Sequence, residues 1–269
     1  MSGKGIKENI RVVLWSGGKD STATIILAHE LGIKIDLIVM SLVWFDKKKK
    51  ISAENTAHLK WVTEYAKPLF ESWGYKVELV SSDKDYLYYF YFKRQKSEKH
   101  PETVGKYYGF PLGGFCRIQR LKEEPIKQFL KQTRKQFNVI EYVGICADEK
   151  PRLEKMHKRK NQISLLEQSG ATQQQAKEKC KSYGLLSPIY QQGKKRGGCW
   201  FCPNQSIAEF AELKQNEPQK YNTLKELAKV ENTVARGFKY GKTFEQVDAE
   251  VDAYIANPPA VQLSLFDYI

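Results

Sequence analysis

Apolar residues along the chain follow two rhythms. Short runs dense in β-branched residues occupy 10–15 (IRVVLW), 35–40 (IDLIVM), 76–80 and 139–145, and they read as strands buried on both faces. Between them lie longer stretches with helical spacing: 22–31, closed by Gly32; 53–73, closed by Gly74; and the basic stretch 117–136. Strand and helix signals in alternation predict a doubly wound α/β fold with a parallel sheet, in which ligands sit beyond the carboxyl ends of the strands. Past residue 160 the pattern changes to a polar helix over 167–181, a turn and short extended piece over 183–190, and a Gly-rich turn near 197–204. Two or three amphipathic helices follow over 206–256, packed around Leu213, Tyr221, Leu224 and Val251 among others. The expected organisation is an α/β domain over 1–160, a cysteine-bearing segment over 161–205, a helical appendage over 206–256 and an extended tail over 257–269.

Composition narrows the class. Of 269 residues, 44 are basic and 31 acidic, a net charge of +13. Such a charge attracts polyanions, which favours nucleic acid as a partner over a charge that serves solubility alone. Aromatics interleave with bases from Tyr86 to Phe92 and onward through Lys93, Arg94, Lys96 and Lys99 to Tyr107, Tyr108 and Phe110. That stretch suits stacking on unpaired bases, and equally suits a buried helix beneath a basic loop. The first nine residues lack the apolar core of a secretory signal, and no run reaches the ~18 apolar residues of a membrane helix, so a cytoplasmic protein is expected. Five cysteines in such a chain point to metal or redox chemistry more than to disulfides. The four histidines, His29, His58, His100 and His157, form no ligand pair at helical spacing and carry no expected role.

The chemistry-bearing stretch is Ser16-Gly17-Gly18-Lys19-Asp20-Ser21, set between the first strand and the first helix. Two glycines let the chain turn sharply and leave its amides uncovered, and a helix N-terminus behind them adds unsatisfied N–H groups and a partial positive charge. Ser21 and Thr22 are candidates to cap that helix. The spacing is not that of a Walker loop. It resembles the SGGxDS loop of the ATP pyrophosphatase (PP-loop) superfamily, whose members split ATP between the α- and β-phosphates and adenylylate a substrate. The resemblance implies an adenine-nucleotide α-hydrolase-like fold, with Ser16, Gly17, Gly18 and Ser21 on pyrophosphate oxygens. Lys19 would add charge, Asp20 would steady the loop or a Mg2+ ion, and adenine would lie near the strand end at Met40.

Residues 144–152 narrow the resemblance. Gly144-Ile145-Cys146-Ala147-Asp148-Glu149 followed by Arg152 is similar to the GIRxDExxxR-like segment of the phosphoadenosine-phosphosulfate reductase branch, with Cys146 where that pattern carries arginine. The resemblance implies that Glu149 faces the nucleotide and Arg152 the nucleotide or the activated substrate, and Cys146 is a candidate sulfur-carrying nucleophile or a buried structural thiol. Iron–sulfur members of that branch hold a cluster with an upstream cysteine and a later C-x-x-C. Cys116 and Cys199 stand at a similar separation, 83 residues (199 − 116), and Cys199 and Cys202 form the pair. With Cys180 they would complete a four-thiolate site for a 4Fe–4S cluster, or for zinc; without it, three thiolates would leave an open iron.

The tail closes with Gln262-Leu263-Ser264-Leu265-Phe266 after a Pro-Pro break, similar to the QL(S/D)LF peptide that binds the bacterial sliding clamp. Leu265 and Phe266 would be apolar anchors and Gln262 a hydrogen-bonding side chain. Together these features predict an enzyme of a bacterium, or of its phage, that activates a nucleic-acid or nucleotide substrate with ATP. Sulfur insertion of the DNA-phosphorothioation or thionucleoside type would follow. A sulfonucleotide reductase is the second reading, weakened because no cysteine follows Cys202. A nucleotide-binding adaptor docked on the clamp is the third. The oligomeric state stays open.

Overall fold

The computed structural model describes residues 7–111, 116, 118–191, 197–235 and 237–258. Its first strand, β1 (Asn9–Leu14), pairs in parallel with β2 (Leu37–Leu42) on one side and β6 (Asn138–Tyr142) on the other. Strand β5 (Val77–Ser81) extends the sheet beyond β2, and β7 (Gln162–Ile163) beyond β6, all parallel, in the order β5-β2-β1-β6-β7. The short antiparallel pair β3 (Trp44–Asp46) and β4 (Ile51–Ser52) stands apart from it. The fold is therefore the doubly wound parallel α/β fold that the alternating signals predict.

The burial pattern explains the sheet. Side chains alternate across it, so Val13, Ile38 and Met40 enter one core while Val12, Leu37 and Val39 enter the other. The second core is covered by α5 (Ile118–Gln136) through Leu130 and its neighbours. The first is filled by α1 (Lys19–Glu30), in which every residue from Ser21 to Ala28 is buried. A helix buried all round needs cover on its far side. That cover comes from α7 (Leu165–Gln168) and α8 (Gln173–Ser182), through Leu165, Leu166, Ala176 and Cys180. The 53–73 stretch resolves into α2 (Thr56–Trp61), a π-turn over Val62–Ala66 and α3 (Lys67–Ser72); α6 (Lys150–His157) follows β6, and α9 (Pro188–Gln191) follows α8.

Because α7 and α8 fold back on α1, the division of the chain differs from the boundary expected at residue 160. One compact unit holds Met1–Tyr86 and Ile118–Cys199; the other holds Leu87–Arg117 and Trp200–Ile269. The second unit takes up the end of α4 (Tyr86–Phe90) and three helices, α10 (Ile207–Asn216), α11 (Pro218–Ala228) and α12 (Phe244–Ala256). Its core is aromatic. Phe238 lies 4.8 Å from Phe110, 5.0 Å from Phe244 and 5.2 Å from Phe210, each ring edge-on to it. Capping boxes start α10 at Ser206 and α12 at Thr243. Asp248 of α12 accepts from Lys214 and Tyr221, tying the three helices together. No helix among the described residues is long and apolar enough to cross a membrane.

One close approach sets the geometry between β6 and α1. A Cβ on Gly144 would lie 2.5 Å from the Ser21 nitrogen and 2.6 Å from the Asp20 carbonyl carbon, both backbone atoms with no freedom to move aside. Gly144→Ala is expected to cost roughly 1–3 kcal/mol by overpacking. A lowered denaturation midpoint with an unchanged denaturant slope would show it; an unchanged midpoint would mean that the two backbones separate at little cost.

Candidate functional site

The strand order places β1 between strands that run outward to either side, so the crevice of the fold opens at the carboxyl ends of β1 and β6. The 16–21 loop leaves β1 at that point. Gly17 takes φ +70°, which a side chain resists, and Gly18 is the N-cap of α1 with no side-chain cap. The helix starts earlier than the sequence suggests, so Ser21 and Thr22 sit in its first turn instead of capping it. They brace the turn. Ser21 Oγ donates to the Gly18 carbonyl and accepts from the Ser16 amide, and Thr22 accepts from the Trp15 indole. An uncapped helix end keeps amide donors available to an anion. One of them, on Lys19, meets the Tyr190 hydroxyl at 3.2 Å.

The loop faces a cavity of about 570 Å³, a size within the usual range of ligand sites. Ser16, Gly18, Asp20 and Ser21 form its floor, and Lys122, Arg152 and Arg159 bring positive charge to its wall. Lys122 pairs with buried Glu54 at 3.0 Å and Arg152 with Glu149 at 2.5 Å. Lys19 Nζ reaches Asp20 at 2.6 Å and Gln173 at 3.3 Å.

The structure brings together most of the residues expected at the site. Asp20, Cys146 and Glu149 converge, with their ligand atoms within 4.8 Å of one another. Cys146 Sγ donates to Asp20 Oδ1 at 3.2 Å, and Glu149 accepts from the Cys146 amide at 3.0 Å. Burial, reinforced by the Asp20 carboxylate, pushes the Cys146 thiol well above the ordinary thiol range. It is thus held as a hydrogen-bond donor, and the thiolate that a nucleophile needs is disfavoured. For a magnesium ion the fitting donors are the Asp20 and Glu149 oxygens; a protonated, soft sulfur is not one.

Two other expected residues lie inside the core. Met40 is buried in the core beside Ile38 and Trp15 and lends no side chain to the cavity. Cys180, which spacing allows as a fourth metal ligand, lies fully buried behind the loop and donates its thiol to the Lys19 carbonyl at 3.1 Å. Burial raises it to about 12, with Asp20 acting in the same direction. A protonated core thiol in that position does not fit a four-thiolate site. Cys199 closes the first unit, while Cys202 and exposed Cys116 belong to the second. The expected clamp-binding residues Gln262–Phe266 lie outside the described residues.

The sequence offered no signal for Tyr190, Lys122 or His58, all of which line the cavity. The aromatic stretch divides between its two readings. Tyr86 and Phe90 are buried, whereas Tyr88 and Tyr91 are exposed. Tyr107 bridges Lys93 in a small hairpin, with Tyr91 edge-on to Tyr107 at 5.6 Å and the Lys93 ammonium over its ring. No protein-family model matches the chain, and no curated protein matches it.

The thiols give a direct test of this arrangement. Iodoacetamide should modify Cys116 in the folded protein and reach Cys146 and Cys180 only on unfolding. The fold favours both buried thiols in their neutral form. Their contribution is therefore complete below the ordinary value of 9.0 and is lost as pH rises toward about 12 for Cys180. Stability should fall over that alkaline window, and less steeply in Cys180→Ala, read as the denaturant midpoint at successive pH values.

Proposed function

We propose that the protein is an ATP pyrophosphatase of the PP-loop type that adenylylates a nucleotide or nucleic-acid substrate. The observation that carries this reading is the uncapped start of α1 at Gly18, opening with the Ser16–Ser21 turn onto a basic cavity at the crevice of a doubly wound sheet. Loop amides, serine hydroxyls and the helix dipole suit phosphate oxygens, and Lys122, Arg152 and Arg159 suit the remaining charge of a triphosphate or of a second, phosphate-bearing substrate. In this reading a substrate nucleophile attacks the α-phosphorus of ATP, and the bond to the bridging oxygen breaks. Pyrophosphate then leaves on the loop, where its growing charge meets donors already in place. Asp20 and Glu149 would hold the magnesium ion, which neutralises phosphate charge when bound.

The net charge of +13 and the exposed tyrosines beside Lys93 support a nucleic-acid substrate or partner. Sulfur insertion remains the purpose we assign to the activation. Cys199 and Cys202 are the pair we assign to a cluster or zinc, and Cys180 is a core thiol. Docking of the 262–266 peptide on a sliding clamp is part of the same proposal.

With Mg2+ and ATP, the protein is expected to release pyrophosphate, faster when single-stranded nucleic acid or its nucleotides are supplied. Ser16→Ala and Asp20→Asn should each lower that rate by about 100-fold or more, the scale for removing a positioned charge or donor. A wild-type protein with neither ATP affinity nor pyrophosphate release would overturn the reading. Separately, protein purified without oxygen should carry iron with labile sulfide, or zinc, that is lost in Cys199→Ser. Metal-free wild-type protein would reduce these cysteines to packing residues.

A further inference from the structure

We infer that His58 is a phosphate-binding residue of the 16–21 loop, donating its Nε2–H to the anion held there; this rests on the phosphate reading of that loop. His58 lies in the first turn of α2, where the Asn55 side chain accepts its backbone amide. Its ring is 4% exposed, stacked beside Trp61, and one edge of it is turned toward the loop. A Cβ on Gly17 would fall 2.5 Å from His58 Cε1 and 2.6 Å from Nε2. Gly17 therefore serves two needs. It supplies the positive φ of the turn, and it leaves the space through which the imidazole reaches the loop.

The far nitrogen sets the tautomer. His58 Nδ1 lies 2.8 Å from Ser187 Oγ, and Ser187 is buried. Among the described residues the Ser187 hydroxyl proton has no other acceptor, so it is given to Nδ1 and the ring proton resides on Nε2. Burial holds the imidazole below the usual histidine value, outweighing nearby Glu54, which acts the other way, while Lys122 adds to the lowering. The ring is thus a neutral donor. Its Nε2 borders the cavity and meets no partner among the described residues. An N–H beside the loop with no protein acceptor among the described residues is placed to donate to an anion held there. Phosphate oxygens supply that acceptor, and the neutral ring adds a hydrogen bond without another charge beside Lys19, Lys122 and the helix end.

The probe is inorganic pyrophosphate, followed by calorimetry and by long-range proton–nitrogen spectra of protein labelled at histidine nitrogen. Wild-type spectra should show the Nε2–H tautomer for His58, identified by the signals missing in His58→Gln. Pyrophosphate should shift the Nε2 signal more than the Nδ1 signal. His58→Ala should weaken pyrophosphate about 10- to 100-fold, the range for one hydrogen bond to a charged group. His58→Gln, which keeps an amide donor within reach, should recover most of the affinity. Equal affinity in His58→Ala, or an Nε2 signal indifferent to bound pyrophosphate, would overturn the inference and leave the loop reading intact. A wild-type protein that binds neither pyrophosphate nor ATP would overturn both. If His58→Ala fails to fold, the wild-type titration alone decides.

Discussion

Helix α1 follows an N-cap, Gly18, that has no side chain to cap it, and the first unit is built to hold that end in place, with the Tyr190 hydroxyl on one of its amides. A helix end with unmet amides is costly unless water, a side chain or a ligand meets them. Here the neighbouring chain meets the turn from below. Gly144 presses backbone against backbone at Ser21, the Trp15 indole anchors Thr22, and the Cys180 thiol meets the Lys19 carbonyl. These contacts fix the direction of the amides. They also explain why α1 is buried along eight consecutive residues and why α7 and α8 must fold over it.

That restraint shapes the chemistry above it. The groups that meet the loop from its inner side are neutral thiols, one on Asp20 and one on a carbonyl, and the neutral Tyr190 hydroxyl meets an amide from the cavity. Charge is kept to the cavity side, where Lys122 and Arg152 are each already paired with a carboxylate. Pairing holds a cation in one orientation before a ligand arrives, so less ordering remains to be done on binding. The depressed basicity of His58 belongs to the same pattern, a polar group kept uncharged at close quarters with the helix end.

The second unit is organised by different forces. Edge-to-face aromatic packing around Phe238 and the Asp248 network replace the regular layers of the sheet. Its small hairpin turns tyrosines and lysines outward, while Phe90 and Phe110 are held inside. An aromatic run of this kind is divided by burial and not by residue type, because tyrosine suits both a core and a wet surface.

What the sequence by itself determined is local. Runs of β-branched residues gave the strands, the 3.6-residue spacing gave most of the helices, and Gly17, Gly32 and Gly74 marked turns whose positive φ is a property of the backbone alone. The SGGKDS stretch, read with its flanking strand and helix, placed the turn between β1 and α1, and the 144–149 segment lies beside it, through the contact of Gly144 with Ser21 and of Cys146 with Asp20. The tertiary structure alone decided which distant side chains meet that turn. Cys180 and Tyr190 arrive because α8 and the segment after it cover a helix buried on all sides, and His58 arrives on α2 through the space a glycine leaves. Met40 went inward because alternation along a buried strand assigns a face whatever the residue's distance from the site. Convergence of this kind depends on strand order and packing, which connect residues more than a hundred positions apart and leave no periodic trace in the chain.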